Sequence, residues 1–276
     1  MPAPDRPKHR TASRSAEKPP ALVHWLSTFL LAGGFLSAFI AVGIRSDSNW
    51  PEASLLLVAT AGTLVALTRQ LPAQNVLFVA GIIAFIGGVA HAVSAKIGIP
   101  FGPFLFSSEA GWRLFGVLPW AMPLLWVVAV LNSRGVARLV LRPWRKTRTY
   151  GFWLIGLTAL FTMLFDCALE PFAAHAKHYW IWTAGSLSLT PQGAPLANSV
   201  GWFLVTVLML AFATPLLINK QLSKRSAPDF QPLVVWLGGI LLFGVGAAMN
   251  RLWPAVVVDV IVGIIATIFA VRGGRW

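Results

Sequence analysis

Long apolar segments alternate with short polar connections along most of the chain. Eight of them approach or reach the length that an α-helix needs to cross the ~30 Å hydrocarbon core of a bilayer. They comprise residues 21–44, 53–67, 76–95, 117–131, 151–173, 199–218, 232–249 and 253–271. The second and fourth are short, so their ends are the least defined. This pattern predicts an all-α, polytopic membrane helix bundle of about eight transmembrane helices, folded as a single domain over residues 21–276.

Residues 1–20 form a polar, Pro-rich and basic segment ahead of the first apolar one. Because this segment carries too little apolar surface to offset the entropy lost on ordering, we expect a disordered cytoplasmic tail. The apolar segment 21–44 is longer than a signal-peptide core and has no persuasive cleavage site. We therefore expect it to remain in the protein as a spanning helix.

Composition and charge favour the same class of protein. The chain is 57% hydrophobic and only 11% charged, whereas soluble domains carry about 25% charged residues. With the N-terminus placed inside, most of the 22 Lys and Arg residues fall in inner segments, as the positive-inside rule requires. The net charge of +13 is thus mainly a topology signal, with contact to anionic membrane lipid as a secondary effect and no nucleic-acid partner expected. Both termini are predicted to be cytoplasmic, in a protein of the bacterial inner membrane.

Several kinds of chemistry have no signature in the sequence. The single cysteine, Cys167, excludes an intrachain disulfide and a thiolate metal cluster. A phosphate-binding loop, a dinucleotide fingerprint, an HExxH motif and a GxSxG motif are all absent. His175 and His178 are spaced as some metal ligands are, but no third ligand follows, and they are better interpreted as interfacial residues. We expect neither a metal nor a cofactor.

Few ionisable residues lie within the predicted spans, and the candidates for chemistry are four: His91, Asp166, Glu170 and Asp259. A charge at the centre of a bilayer costs about 2.5–3.5 kcal/mol even on insertion scales, so such residues usually face the bundle interior. In the predicted topology all four lie in the outer half of the membrane. Asp259 is expected to pair with Arg251 or Arg113 across the outer rim.

Asp166 and Glu170 form the clearest candidate site. They lie four residues apart at the end of an apolar segment, so a helix would present both on one face. Pro171 follows at once and is expected to discourage continuation of the helix. A carboxyl group in an apolar setting favours its protonated form, while a second one nearby can stay ionised, which suits a pair that moves protons.

Three ordered sequence blocks include these residues and their neighbours. The first is Gly98-Ile-Pro-Phe-Gly-Pro-Phe, and the second is Asp166 with Leu169-Glu170-Pro171, followed by Trp180-Ile-Trp182. The third is Gly193-Ala-Pro195 with Asn198 and Gly201-Trp202. Together they resemble the membrane carotenoid-biosynthesis protein family, whose characterised members are carotenoid 1,2-hydratases of the γ-carotene and bisanhydrobacterioruberin type. The family usually has Glu at the position of His91 and Tyr at that of Phe104.

The resemblance implies a carotenoid substrate that enters sideways from the bilayer, and it implies functional positions. It marks Asp166 and Glu170 as catalytic, and His91 as a third catalytic candidate that either substitutes for the family's Glu or packs as a hydrogen-bonded histidine. It marks six as substrate-binding: Phe101, Phe104, Trp180, Trp182, Asn198 and Trp202. Asn198 would orient water or cap the following helix, and the tryptophan faces would stabilise a cation.

The implied reaction is acid-catalysed addition of water to the terminal double bond of an acyclic or monocyclic carotenoid. An acid protonates the double bond to give a tertiary cation, and water then adds to it, so no redox cofactor is needed. Two alternatives stay open: a carotenoid cyclase that uses the same protonation, and a non-catalytic carotenoid- or lipid-binding or transport protein. The sequence leaves open which carboxyl is the acid, which carotenoid is bound and the oligomeric state.

Overall fold

The computed structural model describes residues 21–46, 48–183, 194–218 and 227–276, and the predicted tail of residues 1–20 lies outside these ranges. Within them the chain forms eight long helices: α1 (Ala21–Gly43), α2 (Trp50–Thr68), α3 (Ala73–Ile97), α4 (Ala121–Val140), α5 (Tyr150–Pro171), α6 (Leu196–Ala213), α7 (Gln231–Met249) and α8 (Trp253–Gly274). All eight are long and apolar enough to cross a membrane. The predicted polytopic helical bundle is therefore confirmed, whereas the cytoplasmic position of the termini stays a prediction.

The predicted fourth segment, 117–131, is wrong at both ends, because α4 begins at Ala121 and ends at Val140. The helix continues through Asn132, whose side-chain amide donates to Thr63 Oγ1 (3.0 Å) and to the Val128 carbonyl (2.8 Å). Polar residues that resemble a loop in the sequence are thus satisfied by hydrogen bonds inside the bundle.

The centre of the bundle is occupied by α4. It packs against α2, α3, α5, α7 and α8, and 67% of its spanning residues are buried. The corresponding figures for α1 and α8 are 22% and 17%, so these two helices lie at the periphery and expose most of their apolar side chains. The largest buried side chains are those of Trp126, Trp202 and Trp236.

Glycines on α7 allow this helix to approach α5 closely. A methyl group at Gly239 would lie 2.7 Å from the ring of Phe165, and the ring of Phe172 covers Gly246 in the same way. Small residues have this role in membrane proteins because lipid supplies no hydrophobic drive for helices to associate. The packing of α7 therefore fixes the part of α5 that carries Asp166 and Glu170.

Successive helices alternate in direction, and their connections meet at two ends of the bundle. At the first end, which we call the Glu170 end, Lys177 Nζ forms an ion pair with Glu52 (2.6 Å) and donates to the Ser46 carbonyl (3.3 Å). At the second, the Arg134 end, Arg138 Nη1 donates to Gln70 Oε1 (3.0 Å). Each end is thus held together by polar contacts between a connection and a neighbouring helix or connection.

Short strands close the Glu170 end. Strand β1 (Phe104–Phe106) pairs antiparallel with β4 (Trp180–Trp182), so that Phe104 is opposite Trp182 and Phe106 is opposite Trp180. A smaller pair, β2 (Arg113–Leu114) and β3 (Leu118–Pro119), lies in the connection between α3 and α4. The first pair, which we call the β1–β4 ribbon, joins the connection between α3 and α4 to the connection that follows α5.

The α-helical part of α5 ends at Pro171, as expected, but the chain continues as a π-helical turn over Phe172–Ala176. Proline removes one backbone donor, but the N–H of Phe172 still bonds to the Leu169 carbonyl, and that of Lys177 to the Phe172 carbonyl (2.9 Å). Such wide turns are frequent at functional sites. Here the turn directs the chain back across the end of α5 into β4.

Candidate functional site

Asp166 and Glu170 lie one helical turn apart on α5, near the Glu170 end. Only 1% of the surface of Asp166 and 7% of that of Glu170 is exposed. Both carboxyl groups therefore point into the protein, where a polar group must find hydrogen-bond partners among protein atoms or bound water.

Asp166 has one satisfied and one unsatisfied carboxyl oxygen. Asn198 Nδ2 donates to its Oδ2 at 2.7 Å. Asn198 stands in the first turn of α6, and its side chain is used for this contact and not for capping the helix. Oδ1 of Asp166 is buried and has no hydrogen-bond partner in the part of the chain that the structure describes. Such an oxygen is suited to donate a proton, or to accept one from water or a ligand.

Glu170 receives hydrogen bonds from two tryptophans of strand β4. Trp180 Nε1 lies 3.1 Å from both Oε1 and Oε2, and Trp182 Nε1 lies 2.5 Å from Oε1. Residues two apart on a strand point to the same face, which explains why both indoles reach one carboxylate. Because an indole N–H is only a donor, this arrangement stabilises Glu170 as an acceptor.

His91 is held against aromatic rings on α3. Its Nδ1 accepts a hydrogen bond from Trp126 Nε1 at 3.0 Å, and this leaves Nε2 as the nitrogen that carries the proton of a neutral imidazole. The His91 ring lies 4.3 Å from the Phe101 ring and 5.7 Å from that of Trp202, between centroids. His91 is therefore part of a packed aromatic cluster with one nitrogen engaged.

Stacked and edge-on rings build the wall beside the carboxyl groups. The rings of Trp126 and Trp202 are stacked with centroids 3.7 Å apart. Phe104 meets Trp182 edge-on at 5.3 Å. These contacts join α3, α4, α6 and the β1–β4 ribbon into one aromatic shell, which keeps bulk water away from Asp166 and Glu170.

One small cavity brings together nearly all of the predicted site residues. Its volume is about 10 Å³, which is close to the minimum that holds a single water molecule. The residues around it are His91, Phe104, Asp166, Glu170, Trp180, Trp182, Asn198 and Trp202. Phe101 is the exception, because it is fully buried behind His91 and does not line the cavity.

A larger apolar cavity, of about 190 Å³, lies on the other side of Trp180 between α1, α2, α4, α5 and α7. Phe165 and Leu169, the residues just before the two acids, belong to its wall, as do Met122 and Leu125 of α4. An apolar cavity of about 150 Å³ is enough to bind benzene. Trp180 is thus the partition between an apolar cavity and the carboxyl pair, a feature that no sequence motif indicates.

The rim of this apolar cavity is polar. Tyr179 donates its hydroxyl hydrogen to Asn49 Oδ1 (3.3 Å), and Glu52 and Glu109 lie nearby on the wall. Burial raises the pKa of the Tyr179 phenol, and the charges of Glu52 and Glu109 act in the same direction. Tyr179 therefore stays a neutral donor at the cavity mouth.

Asp259 does not form the ion pair expected from the sequence. It is buried on α8, and its Oδ2 has no hydrogen-bond partner within the described ranges. Arg113 instead donates to the backbone carbonyls of Phe106 (2.7 Å) and Ser107 (3.3 Å), which stabilises the connection that carries β1. The expected pairing of Asp259 with Arg113 failed because backbone carbonyls accept the hydrogen bonds of the Arg113 guanidinium. The sequence alone does not show where those carbonyls lie.

The fold and these contacts define a polytopic membrane protein with a buried carboxyl pair enclosed by aromatic side chains. Residues 52–266 match the model of the family described as carotenoid biosynthesis protein. The chain belongs to this family, and the match contains the whole site. The resemblance seen in the three sequence blocks is therefore confirmed at the level of the family.

A curated relative is the bisanhydrobacterioruberin hydratase of Haloarcula japonica, which is 31% identical over 161 residues. The aligned stretch covers 55% of this chain and 51% of the relative, so the chain spans about half the length of that protein. No solved structure gives a significant match.

Proposed function

We propose that this protein is a membrane enzyme of carotenoid biosynthesis that adds water to the terminal double bond of an acyclic or monocyclic carotenoid. The observation that carries the proposal is the pairing of an unsatisfied oxygen of Asp166 with a carboxylate, Glu170, around a cavity whose volume is close to the minimum for one water molecule. The family membership and the name of the archaeal relative support a carotenoid substrate and a hydration reaction.

In this proposal Asp166 is the acid. Its Oδ1 has no protein partner in the described ranges, so a proton there is directed into the cavity. The O–H bond of Asp166 breaks as a C–H bond forms at the less substituted carbon of the alkene, and the other alkene carbon becomes a tertiary cation. Asn198 holds the opposite oxygen, Oδ2, and so fixes the direction of the carboxyl group.

Glu170 then acts as the base. The cavity water forms a C–O bond with the cation and loses a proton to Glu170, whose carboxylate is already oriented by two indole N–H groups. The proton returns to Asp166, one helical turn away, when a new water enters. The product has gained one water, and both acids are restored. The faces of Trp180, Trp182 and Trp202 stabilise the cation while it exists.

The apolar cavity supplies the place for the hydrocarbon next to the reacting end. The 10 Å³ cavity is too small for an isoprenoid group, whereas the 190 Å³ cavity beyond Trp180 is apolar and large enough for one. Trp180 lines both cavities, so in this proposal its side chain moves aside to admit the end group and then returns to Glu170, while Trp182 keeps its hydrogen bond to Oε1.

Pigment analysis of lycopene-producing bacteria that express the chain tests the proposal. We expect a product one water heavier than its precursor, and a loss of about 100-fold or more in its formation in Asp166→Asn and in Glu170→Gln. Asp259→Asn is the matched control, since this acid is also buried but does not line the small cavity. Full activity in both site variants would contradict the assigned site.

The mass of the product also separates the alternatives. A product of unchanged mass would indicate that the same cation closes on a neighbouring double bond, as in a cyclase. Pigment that co-purifies without any product would indicate a binding or transport protein that uses the apolar cavity.

A further inference from the structure

A second polar cavity lies at the Arg134 end, between α2, the end of α4 and the starts of α5 and α7. Its volume is about 110 Å³. Tyr150, the first residue of α5, is on its wall, whereas Asp166 lies roughly 24 Å further along that helix at ~1.5 Å per residue. The two polar sites are thus at opposite ends of the bundle, and the reaction proposed above makes no use of this one.

Arginine side chains dominate the cavity wall. The arginines on it are Arg134, Arg138, Arg142 and Arg145. Among the described wall residues the carboxylate is that of Asp229, and its Oδ1 accepts the backbone N–H of Gln231 (3.0 Å) at the start of α7. Four guanidinium groups therefore share the cavity with one carboxylate that already has a hydrogen-bond donor.

Arg134 is the least accessible of these cations, with only 6% of the residue exposed. One of its N–H groups donates to the Leu217 carbonyl (3.3 Å), and in the described part of the chain it forms no salt bridge. A guanidinium offers five N–H donors in a planar fork. Holding such a charge out of water is unfavourable unless an anion or several acceptors compensate it. The cavity is therefore built to favour an anion.

The surroundings place the mouth of this cavity at the level of lipid headgroups. Trp144 and Trp153 flank the start of α5 and are 55% and 65% exposed. Exposed tryptophans of this kind sit at the boundary between hydrocarbon and water. Basic pockets between spanning helices at such a boundary bind the head groups of anionic lipids.

We propose that this arginine-lined cavity binds a phosphate group, and that its source in the membrane is the headgroup of an anionic phospholipid. The planar guanidinium of an arginine can bind two phosphate oxygens at once. A phosphatidylcholine headgroup also has a phosphate, but its choline cation is repelled by the arginines. Arg134 supplies the buried contact, while Arg138 and Arg142 are the more accessible arginines on the same wall.

Native mass spectrometry of the full chain in detergent tests the proposal, with phosphatidylglycerol, phosphatidylcholine and inorganic phosphate titrated in separate arms. We expect phosphatidylglycerol to bind and phosphatidylcholine to bind far more weakly. The double variant Arg138→Gln/Arg142→Gln should bind phosphatidylglycerol roughly 30-fold more weakly. Because Arg138 is exposed and Arg142 is only partly buried, this variant is expected to fold, and its thermal unfolding verifies that.

Arg148→Gln is the matched control, since Arg148 is exposed in the same connection but does not line the cavity. Inorganic phosphate that binds as tightly as the lipid would support the phosphate site and overturn the lipid as its source. Equal binding of both lipids, or equal loss in the Arg148 control and in the double variant, would overturn the site itself. These readouts do not depend on carotenoid chemistry, so their failure leaves the proposed reaction untouched.

Discussion

The Trp182 side chain has two contacts at the site, an aromatic contact with Phe104 and a hydrogen bond to Glu170, and Trp182→Phe separates them. Phenylalanine keeps an aromatic face and the edge-on contact with Phe104, whose ring lies 5.3 Å away. It removes the N–H that donates to Glu170 Oε1 at 2.5 Å, together with the bulk of the five-membered ring. Trp180 still donates to both oxygens of Glu170 at 3.1 Å, so the carboxylate keeps one of its two donors.

The expected cost follows from the charge on the acceptor. A hydrogen bond to a charged group contributes about 1.5–3 kcal/mol, which corresponds to a fall of roughly 10- to 100-fold in kcat/KM. The assay is hydrated carotenoid formed per unit of membrane protein, with the substrate supplied in detergent micelles. Trp112→Phe is the control, because Trp112 is 73% exposed and does not touch the site.

A double-mutant cycle identifies the cause of any loss. In a Glu170→Gln background the charged acceptor is gone, so Trp182→Phe should reduce the remaining activity by much less than it does in the native protein. Native activity in Trp182→Phe would refute the role of the indole N–H. Equal losses in the two backgrounds would show that Trp182 acts through its bulk and not through Glu170.

Two further predictions concern packing and substrate access. Gly239→Ala should lower the free energy of unfolding by about 1–3 kcal/mol, because the new methyl group would lie 2.7 Å from Phe165. Gly33→Ala is the control and should have no such effect, because a methyl group there meets nothing within 4 Å. Equal thermal unfolding of the two variants in detergent would contradict this packing. Leu125→Trp should fill part of the 190 Å³ cavity and reduce both pigment retention and product formation. Leu204→Trp is the control, because Leu204 is exposed. Unchanged turnover in Leu125→Trp would exclude this cavity as the substrate-binding site.

The sequence predicts the helices well because each spanning segment must satisfy its backbone internally and expose apolar side chains to lipid. The fourth helix shows where this reasoning ends. Asn132 reads as a loop residue, yet its amide bonds to Thr63 on another helix. Partners that are distant in sequence decide whether a polar residue ends a span, and a hydropathy pattern contains no information about them.

The site is predictable in part for a similar reason. The spacing of Asp166 and Glu170 already places them on one helix face. The donors to Glu170 are harder to foresee, since Trp180 and Trp182 reach it through a π-helical turn and a strand that pairs with Phe104–Phe106. Phe101 illustrates the limit, because it belongs to a motif near the site but packs behind His91 instead of lining the cavity.

The source of the added atoms gives the decisive test of the proposed chemistry. Membranes containing the native chain are incubated with an acyclic carotenoid in water enriched in oxygen-18 and deuterium, and the product is analysed by mass spectrometry. Hydration by the Asp166–Glu170 pair predicts one oxygen-18 and one carbon-bound deuterium in each product molecule, with neither in Asp166→Asn. A hydroxylated product without oxygen-18, or the same labelling in Asp166→Asn, would contradict it.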